Sequence, residues 1–295
     1  MASHSPDQYY VPDSSYYPFA CSIALFFIAL GGAFLLNDVS AGPTMMGIGF
    51  AVMGILLFLW FGSVVKESPE YNMDVDRSFR MGMSWFIFSE VMFFAAFFGA
   101  LYYLRQLAIP WLAETELLWP GFEASWPSAG PIGAELVTNG DPDAAAVMEG
   151  TKYSLIDPLH LPLYNTLLLL TSSVTLTISH HALRDDKRKA AIIWLALTVV
   201  LGVVFLVLQA EEYIVAYQIH GLTMGTGVYG STFFMLTGFH GFHVTLGAFI
   251  LLVVLLRMMK GHFSGEKHFA FEAGAWYWHF VDVVWVGLFI FVYIL

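Results

Sequence analysis

Positive charge is scarce in this chain, with 12 Lys and Arg in 295 residues against 23 Asp and Glu. Charged residues of both signs make up 12%, about half the share of a soluble domain, while 58% of residues are hydrophobic. That balance excludes an ordinary soluble domain and marks a polytopic membrane protein. With so few cations, no nucleic-acid partner is expected. The net charge of −11 does not define a partner by itself, because the largest group of acids, eight of the 23, is concentrated in one loop. Cysteine is nearly absent: Cys21 stands alone in the first apolar run, which excludes a disulfide framework and a Cys-based metal site. It reads as a small buried hydrophobe. The residues before that run include Asp7 and Asp13 but no Lys or Arg. A cleavable signal peptide needs a basic leading region, so none is expected.

What is present is long apolar runs. A span needs about 20 mostly apolar residues, and seven stretches qualify, near 16–37, 44–65, 79–104, 161–181, 190–211, 228–256 and 271–295. The predicted layout is a tail over 1–15, two helices within 16–65, a connecting loop at 66–78 and five helices within 79–295. The fourth span is rich in hydroxyls, including Thr166, Thr171, Ser172, Ser173, Thr175, Thr177 and Ser179. These can bond back to their own helix or across to a neighbour, which suits an interior helix. Gly31, Gly32, Gly47, Gly54 and Gly247 are candidates for close helix contact.

Basic residues set the orientation. Lys66, Arg77 and Arg80 follow the second span; Arg184, Lys187, Arg188 and Lys189 follow the fourth; Arg257, Lys260 and Lys267 follow the sixth. Only Arg105 and Lys152 fall in the alternate connections. The N-terminus is therefore expected in the cytoplasm and the C-terminus outside. The loop over about 105–160 carries Glu114, Glu116, Glu123, Glu135, Asp141, Asp143, Glu149 and Asp157. Its length suggests a docking surface for a basic external partner or a solvated, disordered insert.

Ionisable groups inside hydrocarbon are costly and mark function or burial. Glu90 sits mid-span in Ser89-Glu-Val-Met-Phe-Phe94, as a proton-active or lipid-facing acid or as a neutral acid bonded to a hydroxyl. His240 and His243, three apart, fall on neighbouring positions of one helix face. They offer either interhelical hydrogen bonds or, with His279, ligands for a metal or haem. Glu272, His279 and Asp282 fall roughly on one side of the last span, with Asp282 in reach of His279 or of another chain. His180, His181, Glu211 and Glu212 read as ordinary charges at span ends. Lys66, Arg257, Lys260 and His262 lie near helix ends, where they either hold anionic lipid headgroups or only follow the topology rule.

Together these words resemble a family. Ser89-Glu-Val-Met-Phe-Phe94, His180-His181 followed by Asp186-Lys-Arg188, Gln209-Ala-Glu-Glu-Tyr213, Gly227-Val-Tyr-Gly-Ser-Thr-Phe-Phe234, Thr237-Gly-Phe-His-Gly-Phe-His-Val244 and Phe271-Glu-Ala-Gly-Ala-Trp-Tyr-Trp-His-Phe-Val-Asp-Val-Val-Trp285 are similar to subunit III of the haem-copper cytochrome c oxidases. The resemblance implies an all-α polytopic fold of seven transmembrane helices. In it a two-helix bundle and a five-helix bundle flank a lipid-filled, V-shaped cleft. It implies an accessory chain without catalytic centre or metal, with haem and copper in subunits I and II. The chain would stabilise subunit I, bind phospholipids and support proton uptake. Glu90 matches the buried acid beside the cleft, and Lys66, Arg257, Lys260 and His262 match positions associated with lipid headgroups. Cytochrome c near the external face is a further expected partner. The long acidic loop suggests a bacterial protein of the inner membrane.

Other readings stay open. A quinol oxidase subunit is one, although that relative as a rule resembles only the last five helices. A haem-carrying membrane anchor would rest on His240, His243 and His279. A retinal protein needs a Lys within a span, whereas Lys66, Lys152, Lys187, Lys189, Lys260 and Lys267 all read as loop residues.

Overall fold

A computed structural model describes residues 14–68, 71 and 73–295; the expected tail at 1–15 and parts of the 66–78 loop lie largely or partly outside them. The architecture is all-α, in the order α1 (Tyr17–Leu36), α2 (Gly42–Glu67), α3 (Met73–Tyr103), α4 (Ile109–Glu114), β1 (Glu135–Leu136), α5 (Ala144–Glu149), β2 (Lys152–Tyr153), α6 (Leu161–Arg184), α7 (Arg188–Gln218), α8 (Val228–Met259) and α9 (Phe269–Leu288). A π-helical turn at Leu104–Ala108 joins α3 to α4, and another at Phe289–Ile294 extends α9. Among the described residues, seven helical stretches are long and apolar enough to cross a membrane. The expected spans are all present, and all but the first are longer: the third runs from Met73 to Glu114 and the fifth is α7. Arg77 and Arg80 therefore lie on α3, and Lys66 lies in the last turn of α2 rather than in a loop.

Local chemistry sets the starts. Pro falls in the first turn of α1, α2 and α6, where its missing N–H would be unpaired in any helix. The hydroxyls of α6 behave in both expected ways. Thr166, Thr171 and Thr177 donate to carbonyls four residues back, whereas Ser179 donates to Ala191 O at 2.8 Å and Thr175 meets Thr198 at 2.8 Å on α7.

The chain forms two compact units, one through Met81 and one from Gly82 to Leu295. In the first, α1 and α2 approach closely because a Cβ at Gly31 would lie 2.5 Å from Met46 N and one at Gly49 2.7 Å from Ile28 Cγ1. Small residues allow such contact where lipid removes any hydrophobic drive for helix pairing. Gly32, Gly47 and Gly54 instead face open space. Cys21 is half-buried there. In the second unit α9 is the core element, with Phe271, Trp278, Val281, Trp285 and Leu288 fully buried. Trp278 fills a slot made by two glycines: a Cβ at Gly202 on α7 would fall 2.6 Å from its Cη2, and one at Gly247 on α8 2.9 Å from its Cε3.

The 105–160 stretch is not a disordered insert. β1 and β2 pair in parallel, and Asp143 caps α5 by accepting from Ala146 N at 2.8 Å. Ser128, Ala129 and Ser154 bond the backbone of Tyr229, Val228 and His220. Its acids are exposed, while Tyr153 is buried and stacks on Tyr229. Aromatic burial beneath an acidic surface supplies the order that composition alone hides.

Candidate functional site

The polar groups of the second unit form bridges between helices. Glu90 of α3 places Oε2 2.8 Å from His243 Nε2 of α8. The other ring nitrogen, Nδ1, lies 2.6 Å from Phe239 O, a carbonyl that can only accept, so Nδ1 carries hydrogen. Nε2 of a neutral ring is then an acceptor, and one proton must be shared between ring and carboxyl. The hydroxyl partner expected for Glu90 is thus a histidine on another helix. Phe94 packs edge-on to that ring at 4.9 Å, while the Glu90 side chain is 22% exposed.

His240 turns elsewhere. It is fully buried, donates from Nε2 to Val281 O of α9 at 3.2 Å and packs 5.0 Å from Trp285. Adjacent histidines on one helix face therefore serve two different neighbours, α9 and α3, and do not converge on one ion. His279 also stays apart, with Nδ1 2.6 Å from Ser173 Oγ and 3.6 Å from Asp282 Oδ2. Asp282 is buried beside it. The tryptophans of α9 use the hydroxyls of α6: Trp278 donates to Ser172 Oγ and Trp285 to Thr166 Oγ1, both at 2.9 Å.

Glu272 does not share a site with His279 and Asp282. Seven residues of helix separate it from His279, about 10 Å along the axis. Its Oε1 lies 3.2 Å from His268 Nε2 and 3.6 Å from His180 Nε2. His180 and His268 are 3.3 Å apart. Among the described residues these three converge as possible metal ligands. His268 was missed in the sequence, although its spacing of four from Glu272 is a helical-face signal.

Glu212 is likewise not an ordinary span-end charge, since it is fully buried and accepts from Tyr293 Oη at 2.5 Å. Of the residues expected near lipid headgroups, Arg257 lies over the Phe263 ring at 4.8 Å, and Lys260 and His262 are exposed just beyond α8. Lys66 is exposed and belongs to the first unit. Arg188, one of the basic residues that follow the fourth span, donates to Met258 O and Met259 O at 2.8 Å each and closes the end of α8.

In the loop, Ser154 Oγ lies 3.0 Å from Asp141 Oδ1 and 2.8 Å from His220 Nδ1, which is itself 3.1 Å from Asp141. A nucleophile relay needs the acid and the hydroxyl on opposite ring nitrogens. Here both meet Nδ1, so the trio is a tether between the loop and the end of α7. Burial pushes the nearby Tyr153 hydroxyl up to about 12.

A family model described as cytochrome c oxidase subunit III matches residues 7–127 and 142–295. The chain is 38% identical over 294 residues to cytochrome c oxidase subunit 3 of Formosania lacustris, covering 99% of this chain and 98% of that one. It is 37% identical over the same spans to the Gadus morhua protein, and 36% over 288 residues to that of Prototheca wickerhamii, covering 97% and 96%. These relatives are eukaryotic, so the bacterial origin expected from the loop is not borne out. By the family match and by identity along nearly its whole length, the chain belongs to the cytochrome c oxidase subunit III family.

Proposed function

We propose that this chain is the accessory, redox-inactive subunit III of its oxidase, with haem and copper carried by subunits I and II. The family makes it a subunit of an oxidoreductase complex, associated with the other oxidase subunits in the membrane. Its finer role is to pack against and stabilise subunit I, bind phospholipids and support proton uptake. The observation that carries this reading is the fate of the intramembrane polar groups. Glu90, His240, His243 and His279 each meet a partner on another helix of the same unit, which suits a rigid support. The partly exposed Glu90 carboxyl, flanked by the exposed Phe86 and Val91, suits contact with lipid. Arg257, Lys260 and His262 gather at a basic helix end, which suits anionic headgroups. The basic ends face the cytoplasm or its equivalent compartment by the topology rule, which puts the C-terminus outside. The exposed acids of the loop suit a basic soluble donor such as cytochrome c on the opposite face.

Purification in mild detergent, with visible spectra, haem-to-chain ratio and subunit composition, tests the proposal. Stripping this chain with stronger detergent should leave haem and copper with the larger partners and release a colourless protein. A stoichiometric haem band on the isolated chain would overturn the accessory reading and restore the membrane-anchor alternative.

A further inference from the structure

We propose that His180, His268 and Glu272 form a binding site for a divalent transition-metal ion of the zinc class, at the end of the five-helix unit where α6 finishes and α9 begins. The family resemblance implied no metal in this chain, these three residues were not among the ligands weighed from the sequence, and the site is independent of the accessory role proposed above. Zinc bound by His nitrogen and carboxylate oxygen at about 2.0–2.2 Å in tetrahedral geometry places its ligand atoms about 3.3–3.6 Å from one another. Here the three edges are 3.3 Å between the imidazole nitrogens, 3.2 Å from His268 to Glu272 and 3.6 Å from His180 to Glu272. The ligand atoms thus outline one face of a coordination tetrahedron.

Proton placement favours a cation at that face. His268 Nδ1 lies 3.1 Å from Ser264 O, a carbonyl that can only accept. That contact fixes hydrogen on Nδ1 and leaves the Nε2 lone pair of a neutral ring directed at the carboxylate oxygen. This is the outer-shell arrangement by which metal-bound histidines are oriented. The His180 ring packs at a tilt against Phe271, 5.3 Å away. The side chains of His268 and Glu272 are 7% and 15% exposed, while that of His180 is 28% exposed. The open side provides an entry path and a fourth position for water. Two imidazoles and a carboxylate suit a borderline ion such as zinc rather than calcium or magnesium, which prefer all-oxygen sets. Bound there, the ion would clamp α6 near its C-terminal end to the N-terminal end of α9, joining ligands 88 residues apart in the chain.

The test uses the full chain in detergent, stripped with a chelator and titrated with Co2+ alone, then with Zn2+ as competitor. One equivalent of Co2+ should bind with a visible d–d band of a tetrahedral centre, and Zn2+ should displace it. Glu272→Gln, close to isosteric, should weaken binding by at least the roughly 10–100-fold that loss of an outer-shell partner costs. His181→Ala, changing an exposed neighbour, should leave it unchanged. His268→Cys keeps a donor and should add a sulfur-to-cobalt charge-transfer band, a readout that a merely structural histidine would not give. Absence of saturable binding, or equal affinity in wild type and Glu272→Gln, would overturn the site and leave a proton-sharing cluster.

Discussion

Glu90 Oε2 and His243 Nε2 meet at 2.8 Å, 153 residues apart in the chain, and tie α3 to α8. Because His243 Nδ1 is committed to Phe239 O, the contact holds one proton that either side can carry. Such a pair is neutral overall, which is the form of an acid that hydrocarbon tolerates at low cost.

Removing the ring is expected to cost more than neutralising the acid. His243→Ala leaves the carboxyl without its partner, a loss of about 1–3 kcal/mol. Glu90→Gln keeps a donor toward Nε2 and should leave unfolding in detergent nearly unchanged, while altering the phospholipid retained per chain. Thermal unfolding with lipid phosphorus analysis checks both. The reverse order of stability, together with unchanged lipid content, would refute the one-proton account.

The slot around Trp278 gives a sharper test of packing. Gly202→Ala would place a methyl 2.6 Å from the indole, and overpacking of this kind costs about 1–3 kcal/mol. At Gly99 on α3 nothing lies within 4 Å, so Gly99→Ala should be neutral or mildly stabilising. Comparison of the two thermal midpoints in one detergent decides it, and equal midpoints would show that α7 yields at the contact.

Much of this was legible in the residues. Seven spans follow from apolar length alone, since a bilayer requires it, and the hydroxyl-rich α6 was readable as an interior helix. Partner identity was not. Spacing placed His240 and His243 together, yet it carries no information about which helix stands opposite each, and they diverge to α9 and α3. Glu212 looked like a span-end charge because hydropathy cannot see Tyr293 folding over it. His268 escaped because it precedes α9, and its link to His180 runs between helices far apart in sequence. The loop read as a docking surface or a disordered insert on its length, while the ordering comes from the burial of Tyr153, the Asp143 cap and backbone bonds to His220, Val228 and Tyr229.

The tryptophan–hydroxyl ladder between α6 and α9 should show measurable coupling. Ser172→Ala strands the Trp278 N–H, and Trp278→Phe strands the hydroxyl less severely because Ser172 also donates to Leu169 O. Interhelical hydrogen bonds in membranes average about 0.6 kcal/mol and reach about 1.7. A double-mutant cycle on unfolding free energy should return a coupling in that range, and a value of zero would reduce the bond to a bystander of packing.

The loop tether predicts a local effect. Asp141→Ala removes the carboxylate that meets both Ser154 and His220, so limited proteolysis near 138–143 should accelerate without a change in helix content. Tyr153 adds a pH dependence. Its raised pKa, about 12, means that the folded loop favours the neutral phenol. That contribution is complete below about pH 10, the unfolded value, and is lost as pH rises toward about 12. Tyr153→Phe should abolish the alkaline rise in cleavage, and a persisting rise would assign it to another group.

Orientation is open to direct chemistry because Cys21 is the sole cysteine. In a Cys21→Ala background, Lys260→Cys and Lys152→Cys each introduce a single thiol, the first at an exposed site and the second at a partly exposed one. The two sites fall at opposite ends of the spans, since the loop before α6 and the end of α8 are separated by an odd number of crossings. Lys152 loses only a surface contact with Glu135 at 3.4 Å, worth little in water. In sealed vesicles of known sidedness, an impermeant maleimide should label the Lys152→Cys variant only from the external face and the Lys260→Cys variant only from the other. Labelling of both variants from one side would contradict the crossing count itself. Labelling of each from the wrong side would leave the helices intact and reverse the orientation drawn from the basic residues.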